Sequence, residues 1–320
     1  MRALAFIDLL GFSAMVSNDK RLATEILDDF YNISFSHIKN EHDIHGDLFS
    51  DSLVAHSSSP AILVNTIAKI YRDCLRKNDS YTQPLGKFFL LPRGGISFGH
   101  VDIQSRTESP NLTKNFIVSP ALVHSVKMES QVKGSRLLIA DLDNGNQQVF
   151  NWNNEVKSIL FENSNFTFWS TFKYYDALWF LDLAKSSSEQ KTEVTYLIEV
   201  AEKLVHSNHK NKSARDQHVQ TLRIGLLSFS KFLTPNDNPL LYRFLEDYRD
   251  DLYWLVWLTL IEMIMNSPDS WALPSKREVI EFYKEVSLKP GWAKVISEIN
   301  KPKNEYILGS FREFLSEMNI

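Results

Sequence analysis

Cysteine is all but missing from this sequence: among 320 residues there is only Cys74. One thiol excludes an intrachain disulfide and a thiolate zinc cluster, and it fits a reducing compartment. Cys74 lies on a stretch with helical spacing, where the expected role is that of a small core residue. Long apolar runs are also lacking. The opening run is cut by Asp8, and the most apolar later segment, Leu252 to Met265, is short of a bilayer span and contains Glu262. The N-terminal run is too short and too charged for a secretory signal, so a cytoplasmic protein is expected. Positive charge is not in excess, since 35 Lys and Arg face 39 Asp and Glu for a net charge of −4. There is no basic field for DNA or RNA, and a nucleotide, if bound, is bound at a site. Low-complexity tracts are absent. The 43% apolar content suffices for packed cores, and the length suggests two domains or one domain with a large appendage.

The most informative stretch is Ala5 to Ser13, AFIDLLGFS. Apolar residues at Ala5, Phe6, Ile7, Leu9 and Leu10 read as a central strand in which one position, Asp8, has been given to a carboxylate. A buried lone carboxylate needs a partner, and a hard cation is one. Gly11-Phe12-Ser13 can turn successive N–H groups toward an anion at the start of the next helix, phosphate being the obvious ligand. The alternative is an aspartate capping an ordinary strand-to-helix turn.

In chain order, a helix with Asn18 or Asp19 near its start carries Leu22, Ile26, Leu27, Phe30 and Ile33. His45 to His56 reads as two short strands joined at Ser50-Asp51-Ser52, which puts Asp51 at a hairpin tip. Pro60 opens an amphipathic helix to about Asn78. Phe88 to Gln104 reads as a second hairpin turning at Gly99. Ser119 and Pro120 are an N-cap and first helical residue; Leu122 and Val126 share one face of that helix, Val123 and Lys127 another. Arg136 to Ala140 returns as a strand, and a further strand or two with a closing edge is expected between Trp152 and Leu183. The order is that of an antiparallel-containing α/β (α+β) sheet with helices packed on it, and not of a doubly wound sheet. Lys185 to Glu189 reads as a linker, and from Thr192 onward the pattern is helical throughout. The expected domains are therefore 1–184 and an all-α domain at 190–320. His42, His45, His56, His100 and His124 show no HxxxH or HExxH spacing and are read as surface or pocket-rim residues.

If the first strand and the neighbouring hairpin lie side by side, Asp8 and Asp51 converge on an oxygen site suited to Mg²⁺ or Mn²⁺. At this point the sequence resembles a known family. FIDLLGFS is similar to the FxDxxGF(S/T) strand of class III nucleotidyl cyclases, FSDS to their second metal-aspartate hairpin, and RGGISFG to their R-x-G-I strand. The combination of FSDS, RGGI and PALVxxxxxE most resembles the bacterial pyrimidine cyclases of Pycsar antiphage defence. The resemblance spans about the first 140 to 180 residues.

The resemblance implies Asp8 and Asp51 as ligands of two Mn²⁺ or Mg²⁺ ions, with the Leu9 carbonyl as a third oxygen, and the N–H groups of Gly11, Phe12 and Ser13 on the triphosphate. It also implies a homodimer with composite active sites, and an effector downstream that answers to the cyclic product. Lys127 falls where purine cyclases usually have a transition-state arginine and Val123 where they have a ribose-orienting asparagine. The lysine keeps the charge without the fork; the valine loses a hydrogen bond. Asp47 and Phe116 fall at base-reading positions, with Arg93 close enough to contribute. An arginine donor suits a uracil carbonyl and an aspartate acceptor suits the cytosine amino group, so the residues leave UTP and CTP open, and the resemblance favours UTP. Alternatively Arg93 pairs with a carboxylate, Lys127 is solvated and Phe116 is partly core. A purine cyclase and a degenerate nucleotide-binding module are the remaining readings.

Overall fold

The computed structural model describes residues 2–81, 89–109, 112–142, 154–162 and 172–265, with a few positions from 267 to 297. Strand β1 (Arg2–Leu9) runs through the Gly11 turn into helices α1 (Phe12–Asn18) and α2 (Lys20–Ile38). The break between the two helices is made by Asp19, whose extended backbone closes α1 and whose carboxylate accepts from the Leu22 N–H to cap α2. Strands β2 (Ile44–Phe49) and β3 (Ser52–Ser57) form the expected hairpin, and α3 (Pro60–Lys77) follows with proline in its first turn. Then come β4 (Pro92–Gly99), β5 (Asp102–Ser109), β6 (Leu112–Val118), α4 (Pro120–Gln131) and β7 (Leu137–Leu142). The Ser119 hydroxyl accepts from the N–H groups of Ala121 and Leu122, as an N-cap should. A short α5 (Asn154–Ser158) and strands β8 (Leu160–Glu162) and β9 (Phe172–Ala177) complete the sheet.

Seven strands pair in the order β2-β3-β1-β4-β7-β9-β8, with β5 and β6 as a separate two-stranded sheet. Only β4 and β7 are parallel; every other neighbouring pair is antiparallel. The alternation of β1 divides the layers. Ala3, Ala5, Ile7 and Leu9 enter the main core with α2 and α3, while Leu4 packs with Val54 and Ala121 under α4. Asp8 continues the alternation of Leu4 and Phe6. Two glycines allow α4 to sit close to β4: a Cβ on Gly95 would lie 2.8 Å from the Met128 side chain, and one on Gly99 3.3 Å from Ala121.

Three sequence expectations change here. Gly99 is a close-packing position and not a hairpin turn, so the chain leaves the main sheet and the hairpin is β5 with β6. The stretch read as a linker is a helix start: α6 (Ser187–Ser207) is opened by a capping box between Ser186 and Glu189. His124 is buried and not a rim residue, while His56 is buried at the wall of a cavity. Cys74 lies in the core as expected, and burial pushes its thiol pKa well up.

After α6 the chain continues as α7 (Lys212–Phe229), α8 (Asn238–Asp247) and α9 (Trp254–Met265). The helical segment shares the main core with α3, through Val194, Leu197, Ile198 and Ala201 of α6. Its α7 docks on the turn between α4 and β7, where Gly134 has φ 75° and donates to the Gln217 side chain, and the Ser135 N–H donates to Thr221 Oγ1 at 2.9 Å. A buried charge network ties the same parts together. Arg136 is bidentate to Asp176 on β9 at 2.7 and 2.8 Å, and Arg223 of α7 bridges Asp176 at 3.7 Å and Glu262 of α9 at 3.0 Å. Glu262, the charge that interrupts the most apolar segment, is therefore paired inside the fold. Among the described residues no helix is long and apolar enough to cross a membrane.

Candidate active site

Strand register builds the site. Asp8, the last but one residue of β1, stands opposite Ser52 of β3 on one side and Arg93 of β4 on the other. Ser52 Oγ donates to Asp8 Oδ1 at 2.9 Å. Asp51 precedes Ser52 at the hairpin tip, and its carbonyl accepts from the Leu9 N–H at 3.0 Å, which fixes the tip against the end of β1. Ser50, with φ 52°, makes the turn, its hydroxyl donating to Asp51 Oδ1 at 3.0 Å and its carbonyl accepting from Tyr31 at 2.8 Å. The structure thus places Asp8 and Asp51 together, as sequence spacing anticipated.

Directly after Asp8 and Leu9, Gly11 takes a left-handed conformation with φ 75° and begins α1 with no side-chain cap. The first N–H groups of a helix have no intrahelical partner, so those of Phe12 and Ser13 are free for an anion.

Glu129 of α4 completes the group. Its carboxylate lies 2.5 Å from Arg93 Nε, an ion pair whose N–H is not aligned on the oxygen. Two carboxylates, Asp8 and Glu129, thus face one guanidinium, and the Asp51 charge acts on both. Burial raises the pKa of Asp8, and the Asp51 charge raises it further, against the opposing Ser52 hydrogen bond and Arg93 charge. Glu129 is raised likewise by burial, then lowered by Arg93 and raised by Asp8 and Asp51. A cluster that disfavours its own ionisation in this way is one that a bound cation would stabilise.

The remaining candidates lie elsewhere in the chain. Asp47 is on edge strand β2, opposite Val54, and lines a cavity with Arg2, His45 and His56. Arg2 Nη1 donates to His56 Nδ1 at 3.0 Å, and His56, its pKa lowered to about 4 by burial and by Arg2, stays neutral. Phe116 is on β6, opposite Gln104 in the separate hairpin, and its side chain is outside the described residues. Lys127 and Val123 are exposed on α4, and Lys127, one turn after the buried His124, helps burial to lower the pKa of that imidazole to about 4. His124 itself links Ser97 Oγ (2.8 Å) and the Tyr174 hydroxyl (3.0 Å), anchoring α4 to the sheet. Sequence reasoning gave no role to Ser52 or Glu129, although both lie within the quoted motifs. The alternation of β3 and the helical spacing of α4 were the signals that place them.

The donor set at Asp8 and Asp51, two carboxylates beside main-chain carbonyls, is of the kind a hard cation prefers. Among the described residues no group of three or more His, Cys, Asp or Glu is arranged to hold a metal, so any ion here would take further oxygens from phosphate or water.

No protein-family model matches this chain, and no curated protein matches it. Solved structures do. A bacterial light-regulated adenylyl cyclase is 13% identical, with a TM-score of 0.42 over 61% of this chain and 97% of the other. The adenylyl cyclase CyaB of P. aeruginosa is 15% identical, with a TM-score of 0.41 over 55% and 92%. The guanylate cyclase domain of RhGC from Catenaria anguillulae, in complex with GTP, is 12% identical, with a TM-score of 0.41 over 55% and 94%. At such identities, and with TM-scores below 0.5, the likeness assigns neither activity nor substrate to this chain.

Proposed function

We propose that this chain is a homodimeric, metal-dependent nucleotidyl cyclase. In this reading it converts UTP, in preference to CTP, to the 3′,5′-cyclic monophosphate and pyrophosphate, and the product signals to a cyclic-nucleotide effector in antiphage defence. Residues 1–184 form the catalytic part and 190–320 a helical part that restrains or senses. The observation that carries the reading is the register that sets Asp8 beside the Asp51 tip, immediately before an uncapped helix start at Gly11.

Bound Mn²⁺ or Mg²⁺ would lower the pKa of the ribose 3′-hydroxyl and neutralise the departing pyrophosphate. Asp8, Asp51 and the Leu9 carbonyl hold the ions. The N–H groups of Gly11, Phe12 and Ser13 take phosphate oxygens. Glu129 holds Arg93 alongside Asp8. Exposed apolar residues on the flanking elements, Phe49, Val118, Val123 and Val126, suit coverage by a second copy, which would bring Lys127, Asp47 and Phe116 to the first copy's phosphates and base. A purine cyclase fits less well, because Val123 and Lys127 depart from the asparagine and arginine that the resemblance gives purine cyclases at those positions. The same valine, and the small number of protein ligands, favour a binding-only module as the second reading.

Replacing Asp8 or Asp51 with Ala should abolish cyclic product while the far-UV CD melt persists. Retained turnover in either variant removes the metal assignment.

A further inference from the structure

A cavity of about 500 Å³ lies between the Gly11 turn and the helical segment. One wall comes from Leu10, Gly11, Ala14 and Met15, and Arg93 and Phe89 enter from the start of β4. The opposite wall is Asn211, Ser213 and Gln217 at the junction of α6 and α7, with Asn18 and Asn208 at its margins. Gly11 and Arg93 belong equally to the candidate active site, so the cavity adjoins it at these two residues.

Among the described residues no carboxylate lines this cavity, and Arg93 is the one ionisable residue in its lining. The far wall is further specified by bonds made behind it. Gln217 Oε1 accepts from the Gly134 N–H, and Asn211 Oδ1 accepts from the Ala214 N–H at 3.3 Å. A main-chain N–H can only donate, so both amides are held with their oxygens turned inward and their NH₂ groups left for a ligand. The Ser213 hydroxyl adds a third donor. Asn208 and Asn18 are turned the other way, donating to Leu204 O at 2.9 Å and Ala14 O at 2.7 Å, and so offer acceptors suited to a protonated phosphate oxygen or a water. A space whose described lining is rich in donors and carries no carboxylate, beside the Arg93 that also pairs with Glu129, suits a polyoxyanion.

We propose that this cavity receives the terminal phosphates of the nucleotide substrate and the pyrophosphate released from it, with Asn211, Ser213 and Gln217 as a phosphate-binding wall supplied by the helical segment. The inference rests on the cyclase reading. It gives the helical segment a direct part in substrate binding: when the ribose 3′-hydroxyl gives its proton to solvent and its oxygen bonds to the α-phosphorus, the bond from that phosphorus to the α–β bridging oxygen breaks, and the pyrophosphate that takes the electron pair is already held there.

Two isosteric variants of the full chain test this. Gln217→Glu and Asn211→Asp keep the oxygens that accept from Gly134 and Ala214 but replace each outward NH₂ with a carboxylate oxygen. Calorimetric titration with magnesium pyrophosphate should show binding weakened about tenfold or more in each, and the KM for the triphosphate should rise more than kcat falls. A chain that makes cyclic product, but whose variants bind pyrophosphate as tightly as the wild type, overturns the inference and leaves the cyclase reading standing. A wild-type chain that makes no cyclic product from any ribonucleoside triphosphate overturns the cyclase reading itself.

Discussion

Replacing Asp8 with Asn should separate the cost of the carboxylate cluster from its use. Asparagine keeps an oxygen for the Ser52 hydroxyl, so the 2.9 Å bond across β1 and β3 survives while the charge is removed. Asp8 has a raised pKa in the fold, with burial the main cause and Asp51 adding to it. An acid whose folded pKa lies above its unfolded value contributes most to stability at low pH and loses that contribution as pH rises through the unfolded and then the folded pKa. At neutral pH, in the absence of divalent ions, the Asn variant should therefore melt no lower than the wild type, and above it if relief of the cluster dominates. With Mn²⁺ the order reverses. A ligand present at 100 times its Kd stabilises the native state by about 2.7 kcal/mol, or about 5 °C for a chain of this size. The wild type should gain that shift and the variant should lose most of it. Differential scanning fluorimetry at pH 7.5, with EDTA and with Mn²⁺, reads both arms. An equal Mn²⁺ shift in the two proteins would refute a metal role for Asp8, and a variant that melts well below the wild type in EDTA would refute the electrostatic argument.

Other outcomes follow from packing and titration. Gly134→Ala should destabilise the chain by about 2–4 kcal/mol in urea unfolding, because its left-handed backbone disfavours a side chain and the new Cβ would lie 2.4 Å from Gln217 O. Asp176→Ala should cost about 3–5 kcal/mol, since it leaves Arg136 and Arg223 facing each other without their shared acceptor. His218 is fully buried, neither ring nitrogen has a hydrogen-bond partner among the described residues, and burial lowers its pKa to about 4. Its folded pKa is depressed, so stability is full above the unfolded value near 6.5 and is lost as pH falls toward 4. His218→Phe should leave stability at pH 7.5 unchanged or higher and flatten the acid limb of the stability profile.

The first 180 or so residues of the fold were legible where local chemistry was unambiguous. Asp8 at a strand end, Asp51 at a hairpin tip, Pro60 at a helix start and Ser119 as an N-cap all lie where their neighbours' patterns put them. What failed were positions decided by tertiary contact and one local helix cap. Gly99 looked like a turn but is small because Ala121 presses on it, and Lys185 to Glu189 looked like a linker because its polar residues are those of a helix cap. The partner of Arg93 could not be read from spacing alone, because Glu129 lies 36 positions away in the sequence and reaches it only once α4 lies on β4. The donor wall of Asn211 and Gln217 had no sequence signature, since the direction of each amide depends on a main-chain N–H behind it.

The central claim is that Asp8 and Asp51 serve cyclisation of a pyrimidine nucleotide. The measurement that tests it most directly is incubation of the purified chain with each of the four ribonucleoside triphosphates and Mn²⁺, with products identified by mass. A 3′,5′-cyclic pyrimidine monophosphate from UTP, in excess over that from CTP, is the expected result. Cyclic product from ATP or GTP alone, or none from any of the four, would contradict it.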